Sequence, residues 1–116
     1  MLPEWGGQQD SGKMTLGDVH GGKRIEAVRI GMSDGDIYYA VRVNGEWQQE
    51  VSNYEIAGSV GKSMPITGIK IYTRESVSVS YQIYDAKKGW KNGKDGDELT
   101  IEDSSCITAI RFWITI

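Results

Sequence analysis

Ile66-Thr67-Gly68-Ile69-Lys70-Ile71 decides the reading of this chain, because the same pattern stands at two other places. Forty-one residues earlier lies Ile25-Glu26-Ala27-Val28-Arg29-Ile30, and forty-one later Ile107-Thr108-Ala109-Ile110-Arg111-Phe112. Each copy runs branched apolar, polar, small, β-branched, cation, large apolar. A fixed period shared by three copies marks a repeat architecture. The small residues Ala27, Gly68 and Ala109 would let sheets approach closely wherever they face a neighbour.

Working outward, the segments between the copies are also β-like. Val77 to Tyr84 alternates apolar and polar residues with period two, and Ile37 to Val43 matches it, with Tyr39, Val41 and Val43 on one face. Turn residues separate the strands: Ser33-Asp34-Gly35-Asp36, Thr73-Arg74-Glu75-Ser76, Asn44-Gly45 before Trp47, and Lys88-Gly89 before Trp90. The stretch Lys91 to Glu98, rich in Gly, Lys and Asp, reads as a mobile loop. Trp5, Trp47 and Trp90 follow one another at 42 and 43 residues, the same period with a small drift.

These features predict a single all-β domain over residues 1–116, with units at about 1–36 (partial), 37–76 and 77–116. Three such units point to a closed pseudo-threefold fold, either a β-prism or a β-trefoil. The prism is preferred, because the glycine-rich segments give little sign of four strands per unit. A plain β-sandwich would leave the period unexplained. Unit one opens at its tryptophan without an aromatic strand, which predicts an open sheet edge and a route to homo-oligomers.

Composition narrows the function. Net charge of −3 gives no basic footprint for nucleic acid. No apolar run reaches the length of a membrane span, and Met1-Leu2-Pro3-Glu4-Trp5 has neither region of a signal peptide. The lone Cys106, beside Ile107, reads as a small buried hydrophobe, and no internal disulfide can form.

Catalytic and metal chemistry find little support. Asp34-Gly35-Asp36 and Asp95-Gly96-Asp97-Glu98 pair carboxylates, but in turns without the contrasting environments that acid–base catalysis needs. One histidine, His20, and one cysteine make no zinc set, and the twelve-residue calcium loop is absent. Gly58-Ser59-Val60-Gly61-Lys62-Ser63 lacks the spacing of a phosphate loop and reads as a repeat turn. The expectation is therefore a non-enzyme without metal or cofactor.

The tryptophans carry the sharper expectation. An indole face beside polar side chains suits a sugar ring, and each tryptophan has such neighbours: Asp10 after Trp5, Gln49 and Glu50 after Trp47, Asn92 after Trp90. Three shallow sites would gain from avidity. The competing reading places each indole in the same core slot of its unit. Trp113 falls outside the tryptophan period and reads as packing or an interface. Arg29, Lys70 and Arg111 lie opposite the apolar face of their strands, as a solvated face or as positive charge toward an acidic partner.

The units resemble the clostridial hydrophobic-W (ChW) repeat. Unit two carries the likeness at Tyr39, Trp47, Ser52-Asn53, Ala57-Gly58-Ser59-Val60-Gly61-Lys62 and Ile66 to Ile71. Unit one adds Trp5, Ser11-Gly12 and Arg24 to Ile30, and unit three Tyr81, Gly89-Trp90 and Ile107 to Phe112. Arg42 and Tyr84 stand where that family commonly has a histidine, and Glu46 and Glu4 replace the glycine before tryptophan. The resemblance implies an extracellular or cell-surface module, part of a larger secreted protein, that binds polysaccharide or cell-wall glycan. The Ile-x-x-Ile-x-Ile pattern also resembles jacalin-like β-prism lectins at the level of fold. The alternative function is protein–protein adhesion or self-association without a sugar.

Overall fold

The computed structural model describes residues 4–7, 14–17, 24–32, 35–59, 62, 64–74 and 77–115. Twelve strands are present among them and no helix: β1 Glu4–Gly7, β2 Met14–Gly17, β3 Ala27–Met32, β4 Ile37–Val43, β5 Glu46–Trp47, β6 Val51–Ser52, β7 Ala57–Gly58, β8 Ile66–Thr73, β9 Ser78–Asp85, β10 Gly89–Lys94, β11 Leu99–Thr100 and β12 Ile107–Thr115. They form three sheets. The first has the order β1-β3-β7, the second β11-β8-β4-β5 with β6 also on β4, and the third β10-β9-β12-β2. The three copies of the repeated stretch are thus β3, β8 and β12, one in each sheet.

The second and third sheets are built in the same register. Tyr39 pairs with Ile71 and Val41 with Ile69; Tyr81 pairs with Phe112 and Ile83 with Ile110. Both ladders slip by one residue at the same place, leaving Thr67 unpaired between Gly68 and Ile66, and Thr108 between Ala109 and Ile107. Short strands then tie the units together. Leu99 and Thr100 of unit three pair with Ile69 and Gly68 of unit two, and Ala57 and Gly58 of unit two with Val28 and Ala27 of unit one. Leu16 and Gly17 of unit one pair with Ile110 and Ala109 of unit three. The first positions of the repeated strands are also joined: Ile66 N–H donates to Ile25 O (3.0 Å), and Ile25 N–H to Ile107 O (2.8 Å).

These pairings explain the small third position of the repeat. Ala27 and Ala109 face glycines, Gly58 and Gly17, whereas Gly68 faces Thr100. A Cβ on Gly58 would lie 2.4 Å from Glu26 O, and its φ of +98° is itself unfavourable to side chains. A Cβ on Gly68 would meet the Thr100 methyl at 3.2 Å.

The inner faces meet in one core of Ile, Val and Tyr, with Tyr39, Tyr81 and Phe112 its largest fully buried side chains. Each tyrosine bridges to the preceding unit. Tyr39 Oη accepts from Ile30 N–H (3.1 Å) and donates to Glu55 O; Tyr81 Oη accepts from Ile71 N–H (3.2 Å) and donates to Asp97 O. The phenols are satisfied although buried, as a core requires.

The structure corrects one sequence expectation. Lys91 to Glu98 is not a loose loop: its first half is strand β10, and its carboxylates close the turn that follows. Asp95 Oδ1 accepts from Val79 N–H (3.3 Å), and Asp97 Oδ2 from Lys94 N–H (3.0 Å). In unit two, Asn53 Oδ1 and Glu55 Oε1 do the same for Ile37 and Ser52. In the first sheet β3 carries β1 in parallel along Arg29–Met32 and β7 along Ala27–Val28, with β1 and β7 as its outer strands.

Candidate functional site

The alternation that buries Val79, Tyr81 and Ile83 turns Ser80, Gln82 and Tyr84 to the outer face of the third sheet. Cross-strand register then sets them in three rows. Trp90, Tyr84 and Ala109 form the first; Asn92, Gln82 and Arg111 the second; Lys94, Ser80 and Trp113 the third. Two indoles therefore stand at opposite corners of a grid whose centre is two amides and a guanidinium.

The centre is pre-ordered. The Arg111 guanidinium lies 3.9 Å from the Trp90 ring centroid, and Tyr84 meets the same indole edge-on with centroids 5.2 Å apart. Arg111 Nη1 donates to Gln82 Oε1 at 3.2 Å, and Gln82 Nε2 donates to Asn92 Oδ1. Between this network and Trp113 lies a cleft of about 390 Å³, lined by Gln82, Asn92, Gly93, Lys94, Asp97 and Trp113. Hydrogen-bonding groups of both kinds and half-buried ring surface thus share one face.

The hairpin carrying Trp90 is anchored by Asp85, which stands where unit two has Val43. Burial alone would raise its carboxyl, but bonds from the Ser105 hydroxyl and Lys87 N–H (2.9 Å) hold it below the usual carboxylate range.

The second sheet has a different outer face. Trp47 is 36% exposed and pairs with Arg42. That arginine is drawn away from it: Nη1 donates to Thr67 Oγ1 and to Ile101 O, both at 3.2 Å, and pairs with Asp103 at 3.3 Å. Further along, Tyr38 and Tyr72 stack with centroids 5.2 Å apart, and Arg74 lies over Tyr38 at 4.5 Å. The Tyr72 hydroxyl donates to the Glu50 carboxylate (2.8 Å); burial and that carboxylate raise its pKa.

Of the residues singled out from sequence, Trp90, Asn92 and Tyr84 come together on the third sheet. Trp47, Gln49, Glu50 and Arg42 belong to the second sheet or its exposed margin, with Arg42 and Glu50 bound within the chain. Trp5 lies in β1, where only the backbone is described, and Asp10 lies outside the described residues. Cys106 is half-buried in a shallow cleft with Arg24 and Lys87. Among the described residues no group of three His, Cys, Asp or Glu side chains is placed to hold a metal ion.

Sequence reading did not single out Gln82, took Trp113 as packing or an interface, and treated Arg111 only as part of a repeated charge. Trp113 is in register after all, two residues beyond the repeated cation, at the position of Tyr72 and Gly31. At Gly31 the ring comes from elsewhere: Tyr54 lies so close that an added Cβ would meet its ring carbons at 2.1–2.3 Å. Counting from the cation rather than from the tryptophans would have found this slot.

Comparison with family models, with curated proteins and with solved structures returned no match.

Proposed function

We propose that this chain is a non-catalytic binding module that holds a glycan on the outer face of its third sheet. The observation that carries this is the grid of Trp90, Arg111, Gln82, Asn92 and Trp113. Sugar rings present apolar C–H faces and a rim of hydroxyls that donate and accept. Indole surface beside amides and a guanidinium already linked to one another meets both demands with little ordering left to do. Aromatic and arginine side chains, half-buried here, are also what binding surfaces in general favour. The carboxylates of Asp95 and Asp97 are engaged by backbone N–H groups, which favours a turn-forming role over acid–base chemistry.

The proposal includes a pseudo-threefold, prism-like arrangement of the three sheets, which the repeated register, the paired bulges and the short strands passed between units favour. It also includes display at a cell surface or in a secreted protein, in line with the residues resembling the ChW repeat.

Titration with a panel of neutral and charged oligosaccharides, followed by tryptophan emission and calorimetry, tests the reading. Saturable binding that Trp90→Ala and Trp113→Ala each weaken, with circular dichroism unchanged, is the expected result. A flat response across the panel overturns it. Concentration-dependent self-association in sedimentation, lost in the same variants, would replace it with protein–protein adhesion.

A further inference from the structure

We propose that the ligand of this face is an acidic oligosaccharide, its carboxylate or sulfate taken by Arg111, with Lys94 a second cation on the far strand of the same grid, and its chain running from Trp90 toward Trp113. The inference rests on the glycan reading above and gives it a chemical class and a length.

Charge is the first argument. The three ion pairs between described residues are Arg24–Glu26, Arg42–Asp103 and Lys88–Glu102. Arg111 and Lys94, the two cations of the grid, are in none of them, and no grid position carries a carboxylate. The one carboxylate in the cleft, that of Asp97, accepts the Lys94 backbone N–H at 3.0 Å. Arg111 donates once to Gln82 among the grid side chains, while its guanidinium has five N–H groups in a planar fork. Contact at 3.9 Å with the Trp90 ring holds the guanidinium in place. A stacked guanidinium is weakly hydrated and matches two oxygens of an anion at once, unlike an ammonium. An arginine held against an indole on a partly exposed face, without an acidic partner among the described residues, is therefore set for an anionic group from outside.

Length is the second. Trp90 and Trp113 lie two strands and four residues apart in the register. At ordinary strand spacing this separates their Cα atoms by roughly 17 Å. One sugar ring cannot touch both indoles, so contact with both requires a chain whose middle lies over Gln82 and Arg111.

The test titrates trigalacturonate, a sulfated trisaccharide, neutral galactotriose and the galacturonate monosaccharide by calorimetry at two salt concentrations. At least one acidic trimer should bind roughly tenfold tighter than the neutral one, with the gap narrowing at high salt. Which acidic arm does so identifies carboxylate or sulfate. Arg111→Gln should abolish the gap, Arg111→Lys should restore part of it, and Lys94→Gln, at an exposed position, should narrow it. Trp113→Ala should weaken the trimer and leave the monosaccharide unchanged. Equal binding of acidic and neutral trimers, or a preference that survives Arg111→Gln, overturns this inference and leaves the glycan reading standing. Binding of none of the four sugars, with capture of an acidic peptide that depends on Arg111, overturns both.

Discussion

The second and third sheets share a frame and differ in what they show to solvent. In each, a long aromatic strand, β4 or β9, lies against a repeated strand, β8 or β12, with the same register and the same one-residue slip. A buried tyrosine in each reaches the backbone of the preceding unit. Outward, almost every position has changed: Arg42 against Tyr84, Ala40 against Gln82, Tyr38 against Ser80, Tyr72 against Trp113. The outer strand differs as well. The span from Trp47 to Ser52 is one residue longer than that from Trp90 to Lys94, so β5 and β6 are separate where β10 is continuous. This extra residue is one of the two by which the Trp47–Trp90 spacing exceeds the 41-residue period of the repeated strands. Inner side chains are constrained by close packing and by backbone groups that must be paired. Outer ones are not, and in the third sheet that freedom has gathered rings, amides and a cation onto one surface.

If the frame is truly shared, its tyrosines should be equally costly to lose. Tyr39→Phe and Tyr81→Phe each strip a buried N–H of its acceptor, so urea unfolding at pH 7 should show a loss of about 2 kcal/mol for either. A large effect at one and none at the other would break the equivalence. Burial pushes the Tyr81 phenol up to about 12 and raises Tyr39 as well. The folded state then keeps a proton that the unfolded chain releases near pH 10. The stabilisation is complete below pH 10 and fades as pH rises toward about 12. The slope of stability against pH in that window should be shallower in Tyr81→Phe than in the parent.

The outer faces should respond unequally. Trp90 is packed by Tyr84 and Arg111, so Trp90→Ala should cost about 2 kcal/mol in chemical unfolding followed by circular dichroism. Trp47, 36% exposed, should cost less than about 1 kcal/mol on the same change. Equal losses would mean that the two indoles serve one structural purpose, and would remove the reason to seek a ligand on one sheet.

Much of the frame was legible in the sequence, because period-two burial writes itself directly into residues such as Val79, Tyr81 and Ile83. The small third position was legible too, although not that it faces the short strand of another unit. What was hidden depends on distant partners. The hydroxyls of Tyr39 and Tyr81 are satisfied by backbone groups of other segments. Arg42 looked available until Thr67, Ile101 and Asp103 came together around it. Lys91 to Lys94 has the composition of a loop and becomes a strand because β9 offers it a partner. Trp113 read as packing or an interface because its equivalents are a tyrosine and a glycine, so no tryptophan period could include it.

The finest difference between the two sheets lies at the slip itself. Thr67 and Thr108 occupy the same bulge and both are buried. Thr67 Oγ1 accepts from Arg42 Nη1 at 3.2 Å and donates to Arg42 O at 3.3 Å. In the third sheet Arg42 is replaced by Tyr84, which offers no such donor, and Thr108 Oγ1 has no partner among the described residues. Valine is nearly the same shape and carries no hydroxyl. Thr67→Val should therefore cost about 1 kcal/mol by removing the hydroxyl's bonds to the Arg42 guanidinium and to the Arg42 carbonyl. Thr108→Val should be neutral or slightly stabilising, since it removes a buried oxygen that bonds to nothing in the chain. Paired urea titrations resolve such a difference. If both substitutions cost the same, an acceptor or donor for Thr108 must be supplied from outside the described residues, and the contrast drawn at Arg42 and Tyr84 would not extend to the bulge.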